Sequence, residues 1–270
     1  MFKVNRTVVI VSCFGMFLSG IIAIQSCSEG GGINIFSIED DKALGDQIAA
    51  EIAGDPVNYP ILDSVDYADA YAFVYDIRDR ILESGMVFHK DDFKWQVRII
   101  DQDSVINAFC TPGGYIYVYT GLIRYLENEA QLAGVLGHEM AHADLRHSTD
   151  QLTQAYGISI LLDIVLGDDQ NAITDIAASL TQLAFSRGDE SQADEYSVIY
   201  LCPTEYEASG AAGFFEKIEA EGDIQIPEFL STHPSPDNRI DAIYAKSSEL
   251  SCSGDQTYDA RYQELIDALP

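Results

Sequence analysis

The sequence predicts an α+β fold, mainly helical, with a small antiparallel or mixed sheet beside one central helix. Three observations carry this. Apolar residues recur at helical spacing through most of the chain; between about residues 93 and 119 a period of two replaces that spacing; and no repeat, low-complexity tract or Pro-rich linker divides the chain after residue 38. With 270 residues and 47% apolar composition the chain can bury a substantial core. Its 15 basic and 44 acidic residues give a net charge of -29, which repels phosphate backbones and excludes nucleic-acid binding.

In chain order, Lys3 and Arg6 precede an apolar run from Val8 to Ile24, with no acid before Glu29. Residues 1–26 therefore read as an export signal. Cys27 follows Ser26 at the end of the run and leads into a Gly-rich stretch, the arrangement of a lipoprotein signal, although Ile24 stands where Leu is commoner. Residues 27–38 are expected to be a flexible tether and residues 39–270 one domain. IEDDKALGDQIAAEIAG, with acids in its first turn, and SVDYADAYAFVYDIRDRILESG, which stops at Gly85, read as the first two helices. Phe93, Trp95, Val97 and Ile99 alternate with polar residues as a half-buried strand, and VINAFC and YIYVYT add two more across TPGG. Asn128, with Gln131 three residues on, caps the helix ENEAQLAGVLGHEMAHADLRHSTDQ. GISILLDIVLG and NAITDIAASLTQLAFSRG read as further core helices, and no apolar stretch after residue 26 is long enough to span a bilayer.

Cys13 falls in the signal and Cys27 at the lipidation position, which leaves Cys110, Cys202 and Cys252. In an oxidising compartment the expected pair is Cys202 with Cys252, because Cys110 lies in a strand-like segment.

The chemistry centres on HEMAH. His138 and His142 are four apart, so on a helix both imidazoles face one point, which suits a tetrahedral metal. Zinc needs a third ligand. SRGDESQADEYS offers Glu190 and Asp194, also four apart; on spacing alone either acid could ligate while the other accepts the spare ring N–H of a ligand histidine. Glu139 lies about a hundred degrees around the helix from the ligand face, beside the metal and not on it, where a carboxylate can act as base and acid. His89 and His147, without partners at ligand spacing, read as surface or helix-end residues.

Four stretches in the same order, NAFCTPGGYIYVYTGLI, GHEMAHADLRHS, FSRGDESQADEYS and STHPSPDNRI, resemble the gluzincin metallopeptidases, the family of the heat-shock membrane protease HtpX, the CAAX prenyl proteases and the periplasmic β-barrel-assembly-enhancing protease. The resemblance implies a zincin-like domain and one Zn(II) per chain. It makes Glu190 the third ligand and Asp194 the partner of a ligand histidine. It also places His233 and Arg239 near the metal, where an N–H or cationic donor stabilises the oxyanion of peptide hydrolysis; His233, fixed by Pro234, could instead fill the open metal position. Gly114, Tyr115, Ile116 and Tyr117 are expected to hold substrate by strand addition, Gly113 and Gly114 permitting close approach.

The expected function is a zinc-dependent endopeptidase of the bacterial cell envelope. Its substrates would be unfolded or misassembled envelope proteins, and it would touch the outer membrane through a lipid anchor only, facing the periplasm or the cell surface. The alternative is a non-enzymatic, metal-stabilised envelope chaperone or assembly lipoprotein.

Overall fold

Ser37 begins the folded chain. Its side chain accepts from the Asp40 amide while Asp40 reaches back to the Ser37 amide, a capping box that starts helix α1 (Ile38–Gly54). The preceding Phe36 is already buried, so the tether expected through residue 38 ends earlier than the sequence suggested. The computed structural model describes residues 35–167, 170–221 and 227–270; the export signal, Cys27 and the rest of the tether lie outside the described residues.

Helix α2 (Ala68–Glu83) buries Ala70, Val74, Ile77 and Ile81, a stripe at helical spacing. Strand β1 (Gln96–Ile100) pairs parallel with β3 (Tyr115–Tyr119), and β2 (Ala108–Thr111) pairs antiparallel with β3. The sheet is thus mixed, in the order β1-β3-β2. The alternation from Phe93 enters the ladder only at Gln96, because Trp95 sits in the left-handed region at φ 46°, with its indole N–H donating to the His89 carbonyl at 3.1 Å.

That strand order corrects the expected substrate strand. β3 is interior, hydrogen-bonded on both sides, so Tyr115, Ile116 and Tyr117 offer no free edge. Tyr117 stacks on Phe109 with ring centroids 4.7 Å apart, the Tyr115 hydroxyl donates to Asp46 at 2.6 Å, and Gly114 packs against Phe93 and Trp95. These are packing roles. The sheet's outer edges belong to β1, which is bridged by Ile61 at Ile100, and to β2.

Helices α3 (Thr120–Tyr125), α4 (Glu129–Asp144), α5 (His147–Tyr156), α6 (Ile158–Val165), α7 (Gln170–Ser179), α8 (Arg187–Leu201), α9 (Gly210–Glu221), α10 (Pro227–Thr232), α11 (Arg239–Glu249) and α12 (Asp259–Asp267) complete the described chain. Two apolar clusters flank the sheet. Val97, Ile116 and Val118 pack with residues of α2 and α4, while Phe109 and the tyrosines of β3 pack with residues of α1, α6 and α7. Among the described residues no helix is long and apolar enough to cross a membrane.

α4 is buried over its whole length, and two glycines let other helices close on it. A Cβ on Gly134 would stand 2.3 Å from the Ala211 backbone nitrogen of α9, and one on Gly137 would stand 3.0 Å from Ser197 Oγ of α8. The Ser197 hydroxyl donates to the Gly134 carbonyl at 2.8 Å. Cys202, at the end of α8, is disulfide-bonded to Cys252 beyond α11, and Cys110 remains a buried free thiol.

Candidate metal centre

The Asn128 side chain accepts from the Gln131 amide at 2.9 Å and fixes the start of α4. Two and a half turns on, His138 and His142 stand on one face with their Nε2 atoms 3.0 Å apart. α8 begins in the same way, Ser186 capping through a box with Asp189, so Glu190 lies in the first turn and points into α4. The close approach of α8 to Gly137 carries Glu190 to the two imidazoles. Its Oε1 lies 3.2 Å from His142 Nε2 and its Oε2 lies 3.5 Å from His138 Nε2. His233, just past α10, joins them, with Nδ1 3.0 Å from Glu190 Oε1 and 3.4 Å from His138 Nε2. One ligand atom from each of His138, His142, Glu190 and His233 lies within 4.8 Å of all the others, and all four residues are buried.

Around this group stand its supports. Asp194, one turn after Glu190, brings Oδ1 to 2.9 Å from His138 Nδ1, at ion-pair distance but off the line of the ring N–H. Arg239 donates from Nε to Asp194 Oδ2 at 2.6 Å, and its Nη2 donates to Asp194 and to Glu190. The guanidinium braces the two carboxylates through Nε and Nη2, a planar fork between two acids four apart on α8, while its Nη1 is buried without a hydrogen-bond partner. Sequence reasoning also missed two aromatic walls. Phe185 stacks on His142 with centroids 3.7 Å apart, and Phe229 stacks on His233 at 4.6 Å. Phe185 opens the stretch FSRGDESQADEYS but its spacing gave it no role, and Phe229 lies outside the motif stretches. His147, read as a surface or helix-end residue, is buried at the start of α5 with Nδ1 3.1 Å from His142 Nδ1.

The charges respond to burial and to one another. Burial alone would lift the Glu190 carboxyl, but His233, His138 and His142 around it bring it well below the usual carboxylate range. Burial opposes charge on His138, yet the Asp194 and Glu190 carboxylates raise it to about 9. Burial drives His142 the other way, well below an ordinary imidazole. Glu139 is also raised by burial, against the lowering pull of His233 and His138. Both Glu139 carboxylate oxygens are buried without a hydrogen-bond partner, and Oε1 lies 3.4 Å from His233 Nε2.

A buried carboxylate left unpaired beside three imidazoles and a second carboxylate is costly unless a cation completes the site. The donors, nitrogen and carboxylate oxygen on two helices and a turn, suit zinc. Beside them runs the outer edge of β2, where the Ala108 carbonyl lies 3.4 Å from His233 Nε2.

Comparison with known proteins agrees with this reading. The mitochondrial metalloendopeptidase OMA1 of Arabidopsis thaliana is 33% identical over 155 residues, covering 56% of this chain and 31% of that protein. The OMA1 of Schizosaccharomyces pombe is 30% identical over 188 residues, covering 66% of this chain and 53% of its own. The β-barrel assembly-enhancing protease of Escherichia coli is 26% identical over 224 residues, covering 76% of this chain and 43% of its own. The chain thus spans 31% to 53% of the length of these relatives. The model of peptidase family M48 matches residues 76–247, a segment that runs from α2 into α11 and holds every residue of the metal group. This chain belongs to peptidase family M48.

Proposed function

We propose that the chain is a zinc-dependent endopeptidase in which His138, His142 and Glu190 hold the ion and Glu139 moves the proton. The observation that carries this is the buried Glu139 carboxylate, free of hydrogen bonds and adjacent to the metal group. A bound zinc ion supplies polarisation of a carbonyl and lowers the pKa of water to about 7. Glu139 then takes the proton of the attacking water and delivers it to the leaving amine, and its raised affinity for protons in the buried site suits the second half of that task. Asp194, at ion-pair distance from His138 Nδ1, supports the charge on that ring, and Arg239 braces Asp194 and Glu190. Substrate lies along the outer edge of β2, the edge beside the metal group.

His233 offers a fourth donor atom beside the three proposed ligands, which supports reading this arrangement as a latent state. Cleavage requires the ring to leave, which also releases the Ala108 carbonyl and makes an N–H available to the oxyanion. A second reading, a non-enzymatic metal-stabilised chaperone or assembly lipoprotein, draws on the same fourth donor, since structural zinc sites are closed by protein. A structural site has no use for Glu139, which favours the hydrolase.

The export signal over residues 1–26 and Cys27 at its end support placement in a bacterial cell envelope, with a lipid anchor on the outer membrane and envelope proteins that have failed to fold or assemble as substrates. The relatives named for β-barrel assembly favour the same setting. Purified protein should cleave an unfolded substrate such as casein, lose that activity to a chelator and regain it with zinc. A protein that cleaves equally well after complete metal removal contradicts the proposal.

A further inference from the structure

We infer that His147 and Gln192 form a relay that fixes which nitrogen of His142 faces the metal; the inference rests on the proposed zinc site. His142 presents Nε2 to Glu190 and His138, and its other nitrogen, Nδ1, lies 3.1 Å from His147 Nδ1. The opposite side of the His147 ring, Nε2, lies 3.1 Å from Gln192 Oε1. One assignment of protons satisfies all three residues. With the metal on Nε2, the His142 proton is on Nδ1 and His147 Nδ1 accepts it. The His147 proton is then on Nε2, where the Gln192 carbonyl, which can only accept, receives it. Asp189 Oδ1, 3.9 Å from His147 Nε2, stands on the same accepting side.

The backbone is arranged to make this contact. Arg146 takes the left-handed conformation, φ 64° and ψ 22°, which turns the chain sharply between α4 and α5 and folds the first residue of α5 back over His142. That conformation is costly for a side-chain-bearing residue and is secured by a buried partner. Arg146 donates to Asp41 from Nε at 2.6 Å and from Nη2 at 3.0 Å, and also to the Phe36 carbonyl. Gln192 follows Glu190 by two residues, so α8 supplies both the carboxylate for the metal group and the acceptor that sets the far end of the relay. His147 touches no reacting atom and acts through His142; it is a positioning residue.

Nitrogen-15 NMR of the imidazoles in the zinc-loaded protein tests the proton assignment directly. The expected result is a neutral His147 with its proton on Nε2 and an acceptor-type Nδ1; a proton on Nδ1, or on both nitrogens, overturns the inference. Zinc affinity measured by competition with a chromophoric chelator gives a second test. His147→Phe, which removes the acceptor, should bind zinc about 10- to 100-fold more weakly. His147→Asn, whose Oδ1 can occupy the place of Nδ1, should restore most of that loss, and Gln192→Leu should show an intermediate one. Wild-type affinity in folded His147→Phe overturns the relay while leaving the zinc site intact. If His147→Phe does not fold, unchanged affinity in Gln192→Leu does the same. A wild-type protein that binds no zinc overturns both the relay and the proposed function.

Discussion

Arg239 grips Asp194 with two parallel hydrogen bonds, Nε to Oδ2 at 2.6 Å and Nη2 to Oδ1 at 3.0 Å, and both partners are buried. The pair joins α11 to α8 directly behind the metal group. Removing the guanidinium leaves the buried Asp194 and Glu190 carboxylates with only the neighbouring histidines to compensate them, and breaking such a buried pair costs about 3 kcal/mol or more. Arg239→Met should lower the unfolding free energy of the metal-free protein by that amount in a urea titration. A change below about 1 kcal/mol would mean that the fork adds little.

In the proposed zinc site His233 would fill the position that a hydrolytic site leaves open. With His138, His142 and Glu190 still present, His233→Ala should keep stoichiometric zinc and cleave casein faster than the wild type. Activity lowered by a factor of about 100 or more would contradict a blocking role and assign the ring to the oxyanion alone.

The disulfide between Cys202 and Cys252 closes a loop with a sequence separation of 50 residues, which includes α9, α10 and α11. A loop of that length stabilises the fold by about 4 kcal/mol in the chain-entropy model. The Cys202→Ala/Cys252→Ala double variant should unfold at correspondingly lower denaturant concentration. Alkylation of the unfolded, non-reduced wild type should leave both residues unmodified; labelling of either shows that the pair is absent.

Burial raises the Asp150 carboxyl to about 6, above the ordinary value near 3.9. Because the folded state holds this proton more tightly than the unfolded chain does, the carboxyl destabilises the fold only once it must ionise. The penalty is absent below about pH 4, grows as the pH rises to 6 and is complete above it. Asp150→Asn should therefore raise Tm at pH 7.5 and leave it nearly unchanged at pH 4. An equal shift at both pH values would assign the effect to something other than ionisation.

Much of the site was legible in the sequence because it depends on local spacing. Residues four apart on a helix share a face, so His138 with His142 and Glu190 with Asp194 could be paired before any fold was known. What escaped depends on how distant segments meet. His147 is five residues from His142 and reaches it only because Arg146 adopts a left-handed turn, which no periodicity encodes. β3 alternates like an edge strand, but its parallel pairing with β1 encloses it, and strand order is set by topology and not by the pattern along one strand. Arg239 could be singled out from the sequence, but the two carboxylates that another helix presents to it could not.

Glu139 as the proton carrier beside an intact zinc site is tested most directly by metal content measured together with turnover in the Glu139→Gln protein. The substitution keeps the three proposed ligands and the side-chain shape while removing the base. The expected result is one zinc per chain, as in the wild type, with no detectable cleavage of casein. Wild-type turnover in that zinc-loaded variant would contradict the mechanism at its centre.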